Sequence, residues 1–81
     1  MKVYVTFGWG QEHEINGKVF DKDVIGVLEV ENEEAGRAKL FELFEGKFCT
    51  TYTDKDMVDE KILKYCSKGY EDIEYKEVEI Q

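Results

Sequence analysis

Basic residues are scarce in this chain: 11 Lys and Arg stand against 19 Asp and Glu, for a formal net charge of −8. That balance argues against direct, general nucleic-acid binding, which needs cations to neutralise phosphates. An acidic surface aids solubility, and it can also compete for a basic partner. Cysteine is sparse as well. Cys49 and Cys66 are isolated, with no close Cys or His spacing, whereas a zinc site needs about four ligands, usually in pairs. Two buried, reduced thiols are expected. A Cys–His nucleophile built on His13 would lack an orienting third group. Long apolar runs are missing too, and none approaches the about 20 residues of a membrane span. The chain opens directly on a strand pattern with no apolar signal region, which predicts a cytoplasmic protein. There is no phosphate-binding G-x-x-x-x-G-K-[ST] loop, no G-x-G-x-x-G opening a helix and no G-x-S-x-G elbow. No cofactor or metal is expected.

What is present is enough for one small domain spanning all 81 residues. A chain of this size buries only about 60% of its unfolded surface. Five Phe, five Tyr and one Trp help, because each can bury a large apolar area. Residues 2–7 alternate strictly, with Val3, Val5 and Phe7 on one face, and read as a strand. Residues 23–30 read as a second strand, apolar on both faces: Val24, Gly26 and Leu28 on one, Ile25 and Val27 on the other. Such a strand is central, and its second face needs a cover. A second protomer could supply it, and a homo-oligomer is therefore expected. Gly26 in mid-strand predicts close packing.

Asn32 is a good N-cap for a helix running to about Glu45, with Gly46 after its end. Its packed face carries Gly36, Leu40, Leu43 and Phe44, with Phe41 at the edge. Residues 47–53 read as a strand. Thr53 and Asp54 offer a cap for a second helix to about Ser67, Asp56 completing a capping box with Thr53, and Val58, Ile62, Leu63 and Cys66 turn inward. Residues 70–81 read as a last strand or strand pair, with a bulge or turn near Lys76-Glu77. The order is β-β-α-β-α-β: an α+β domain with both helices on one side of a mainly antiparallel sheet.

The stretch from Thr6 to Asp23 concentrates the unusual residues: the only Trp, the only His and three of the seven glycines. Asn16-Gly17 within it is a two-residue hairpin turn signal. As an enzyme site, His13 would work with Glu12, Glu14, Asp21 or Asp23 as an acid–base pair, for example in a small hydrolase. As a binding site, backbone around Gly8 would offer N–H groups to an anion, and Lys18, Lys22 and Arg37 would neutralise phosphate. Trp9, Phe7 or Tyr4 would stack on a base. Gln11, His13 and Asn16 would orient the ligand. The bland alternative is a long hairpin serving stability only.

The segment GQEHEINGKVFDKD, followed by AGRAKLFELFEGKFCTTY, resembles a group of small, mostly uncharacterised proteins encoded by bacteriophages and prophages. The likeness covers roughly residues 3–52. It implies a phage context, a bacterial host cytoplasm and a non-catalytic role against host defence. Such a role takes two forms: sequestering a nucleotide-like signal, or binding a host defence protein. For the first, Gly8, Trp9, Gln11, His13, Lys18, Lys22 and Arg37 would line the pocket. For the second, acidic residues such as Glu71, Asp72, Glu74, Glu77 and Glu79 would mimic nucleic acid. This chain departs from that pattern in placing Glu12 and Glu14 beside His13, which opposes an anion there.

Overall fold

The computed structural model describes residues 1–74. Four strands make the main sheet: β1 (Lys2–Thr6), β4 (Val24–Glu29), β5 (Thr50–Tyr52) and β6 (Gly69–Asp72), in the order β5-β1-β4-β6. Between β1 and β4 lies a separate hairpin, β2 (His13–Ile15) and β3 (Lys18–Phe20). One helix, α1 (Glu33–Phe44), follows β4. A second helical segment begins as one α turn, α2 (Lys55–Met57), widens into π-helix (Val58–Ile62) and closes as a 3₁₀ turn (Leu63–Tyr65). The class is α+β. The strand–helix order broadly follows the predicted one, with the hairpin supplying two further strands.

The sheet is antiparallel except where β6 runs parallel to β4, with Gly26 opposite Glu71. On β1, Val3 and Val5 point to one face and Tyr4 to the other, as strand alternation requires. The first face, with Val24, Leu28 and Ile73, packs against Leu40 and Phe44 of α1 and Phe20 of the hairpin. The second, with Ile25 and Val27, packs against Val58 and Cys66. The helices therefore cover opposite faces of the sheet, which corrects the expected one-sided arrangement. This also accounts for the two-sided apolar strand. The cover on its second face is the segment around Val58, so the premise for a homo-oligomer is met within a single chain.

Local chemistry sets the element ends. Asn32 Oδ1 accepts the Ala35 N–H at 2.8 Å, capping α1 as its sequence predicts. The second helical segment is capped by Asp54, one of the two caps its sequence offers, whose Oδ1 accepts the Met57 N–H at 3.2 Å. It ends at Tyr65, short of Ser67. The expected strand over 47–53 narrows to β5, and Cys49 is exposed, against the expectation of a buried thiol. Cys66 is buried at 6% exposure, and burial pushes its thiol pKa up.

Two glycines allow close approach. A Cβ on Gly26 would lie 2.8 Å from Val5 Cγ1 and 2.9 Å from Ile73 Cδ1. One on Gly36 would lie 2.8 Å from Val3 Cγ2, so α1 seats its backbone almost directly on the sheet. The predicted bulge near Lys76-Glu77, and the acids Glu77 and Glu79, lie outside the described residues.

Candidate functional site

The hairpin forms because Asn16 and Gly17 take positive φ, 53° and 82°, as a tight two-residue turn between twisted strands demands. Its register pairs His13 with Phe20 and Ile15 with Lys18. Paired residues share a face, so His13, Ile15, Lys18 and Phe20 all turn towards the domain. Phe20 is fully buried and Ile15 packs on the same core. Full burial of a side chain like Phe20 contributes about 1.5–3 kcal/mol and anchors the hairpin.

That register decides the fate of two predicted site residues. The His13 ring lies 4.9 Å from Phe44 and 5.7 Å from Phe7, centroid to centroid. Its Nε2 is 2.7 Å from the Lys47 carbonyl oxygen, which can only accept, so Nε2 carries the proton. His13 thus ties the hairpin to the turn after α1. Lys18 reaches the edge strand β6 and the residues just after it. Its Nζ lies 3.2 Å from Glu71 and 3.4 Å from Glu74, and it donates to the Asp72 carbonyl. The hydrogen bond to Glu71 leads in raising its pKa. Two of the tail acids are thereby engaged within the chain.

The remaining candidates divide. Gly8, Trp9, Gln11 and Lys22 line a cleft of about 220 Å³, together with Gly10, Glu12, Asp21 and Asp23. Arg37 is elsewhere, on α1 in a shallow depression with Glu33 and Glu34. Phe7 and Tyr4, the alternative stacking residues, are each 4% exposed and belong to the two cores. Trp9 is 86% exposed.

Within the cleft, Gln11 closes its own loop. The Gly8 N–H donates to Gln11 Oε1 at 2.6 Å, and the Gln11 N–H donates to the Gly8 carbonyl at 3.1 Å. The backbone donor expected for an anion is therefore already taken at Gly8. Asp21 Oδ1 accepts the Asp23 N–H at 3.0 Å, and its Oδ2 pairs with Lys68 at 2.8 Å. The Lys68 hydrogen bond, then that from Asp23, holds the Asp21 carboxyl below its ordinary value. Lys22 Nζ lies 3.1 Å from both Asp23 carboxylate oxygens and 4.7 Å from the Trp9 ring centroid.

Three carboxylates and one ammonium line this cleft. In the sequence Glu12, Asp21 and Asp23 read as partners for His13 in catalysis, and Glu12 also as a charge that opposes an anion there. Their true grouping follows from the hairpin register, which turns His13 inward and leaves these acids with Trp9. Among the described residues, no group of three or more His, Cys, Asp or Glu could hold a metal ion. No helix among them is long and apolar enough to cross a membrane. Comparison with protein-family models, with curated proteins and with solved structures finds no match to this chain.

Proposed function

We propose that this protein is a non-catalytic acidic binding module that occupies a basic surface on another protein. The observation that carries this reading is the cleft beside Trp9: an indole 86% exposed, set among Glu12, Asp21 and Asp23, on a chain of net charge −8. Large aromatics left in water are candidate anchors for an interface. Carboxylates around one select a cationic counterpart. The likeness to phage-encoded proteins suggests a host defence protein as that partner.

Sequestering a nucleotide-like signal is the second reading, and exposed Trp9 favours it as a stacking platform for a base. The charge distribution does not. Of its three expected phosphate ligands, Lys18 and Lys22 are paired with carboxylates and Arg37 lies outside the cleft. A phosphate here would face an excess of negative charge.

Calorimetry separates the two. Titration with a hexa-arginine peptide should give binding that weakens strongly between about 50 and 300 mM salt, because exposed charges are screened. Titration with adenine nucleotides and cyclic nucleotides should give no heat of binding. Nucleotide binding without peptide binding would overturn the proposal.

A further inference from the structure

Lys22 occupies a position that a partner's side chain would want. Its ammonium sits over the indole face of Trp9 at 4.7 Å and between the two oxygens of Asp23, each at 3.1 Å. Cations over an indole face are held by the ring quadrupole. Here the cation comes from the chain itself. Both Lys22 and Trp9 are exposed, so neither is fixed by packing. An ammonium is also a poor match for what surrounds it. It is a compact, strongly hydrated charge, whereas an aromatic plane beside a two-oxygen acceptor suits a planar group with forked donors.

Resting on the reading of an acidic module with a basic protein partner, we infer that Trp9 and Asp23 form an arginine-binding subsite in which Lys22 is an internal placeholder. The partner's guanidinium stacks on Trp9 and donates two parallel N–H bonds to Asp23, while Lys22 swings into water. Asp21 does not compete for this role, because Lys68 and the Asp23 N–H already engage its two oxygens. Exposed Glu12 adds negative charge on the same rim. The occupant is an arginine of a protein and not a small ammonium compound, since one exposed indole cannot form the aromatic cage that such compounds need.

Removing a lysine beside the site should strengthen binding. Lys22→Ala frees both Trp9 and Asp23. An exposed cation–π contact of this kind corresponds to about a two- to fivefold change in affinity. Calorimetry with hexa-arginine should therefore show Lys22→Ala binding about two- to fivefold tighter than the unsubstituted protein. Trp9→Ala and Asp23→Asn should each bind more weakly, and hexa-lysine should bind more weakly than hexa-arginine. Trp9 is exposed, so its replacement should leave the fold intact, which circular dichroism checks. The sole Trp also reports directly, since its emission should change on adding hexa-arginine.

Weaker or unchanged binding by Lys22→Ala overturns the placeholder. Hexa-arginine binding that ignores Trp9→Ala overturns the subsite but leaves the acidic-module reading standing. No hexa-arginine binding at all overturns both, as would tetramethylammonium binding more tightly than the peptide.

Discussion

Replacing Gly26 by Ala tests the architecture that holds the cleft in place. The added methyl would come within 2.8 Å of Val5 Cγ1 and 2.9 Å of Ile73 Cδ1. Val5 is fully buried in β1 and Ile73 is 6% exposed, so neither has open space to retreat into. Overpacking of this kind costs about 1–3 kcal/mol. Replacing a mid-strand glycine returns about 0.5–1 kcal/mol by restricting the unfolded chain. The net expectation is a loss centred on about 1.3 kcal/mol and at most about 2.5 kcal/mol. For a domain of this size the central value lowers Tm by about 5–10 °C. Urea unfolding followed by circular dichroism gives the free energy directly. Ile73→Val removes the Cδ1 atom of one clash, and alone it should cost about 0.5–1.5 kcal/mol. Combined with Gly26→Ala it should cost less than the sum, with a coupling of at least about 0.5 kcal/mol. A Gly26→Ala variant as stable as the parent, or strict additivity in the pair, would refute the packing of Ile73 on β4.

Further outcomes follow from other contacts. Exposed Cys49 should react with a thiol reagent at once, while buried Cys66 should react only on unfolding, giving two separate phases in a DTNB assay. Asp21→Asn should flatten the acid side of the stability profile. The Asp21 pKa is lowered on folding, so its contribution is present above the ordinary value of 3.8 and is lost as pH falls through the lower folded value. Melting curves across that range check the sign, and an unchanged acid slope would contradict it. Since both faces of β4 are covered within one chain, light scattering should give a 9.5 kDa particle at micromolar concentration; a dimer mass would contradict that.

Much of this fold is legible in residue order. Val3 and Val5 announce their face by alternation, Asn32 its cap, and Asn16-Gly17 its turn. Gly26 is flagged by sitting where a strand should carry a side chain. The side on which each helix packs is not legible, because it depends on how the chain crosses the sheet. Both phases of β4 are apolar and admit either answer. The short β5 and the π-helical turns reflect tertiary packing that propensity does not encode. Of the candidate site, Gly8, Trp9, Gln11 and Lys22 do converge in one cleft. As the only His, in a stretch with Gln11 and Asn16, His13 invites a ligand role. Its phase with Ile15 and Phe20 is the signal that it turns inward. Lys18 shares that phase, and its ion pairs join residues more than fifty positions apart, which no local pattern reveals.

The most direct test of the acidic-module reading is where a basic probe lands. Amide and indole resonances of the ¹⁵N-labelled protein, followed during titration with hexa-arginine, should shift at residues 8–12 and 21–23 and at the Trp9 indole N–H. Those around Arg37 should stay in place. Resonances of the cleft that remain still with the peptide, but move with an adenine nucleotide, would contradict the account.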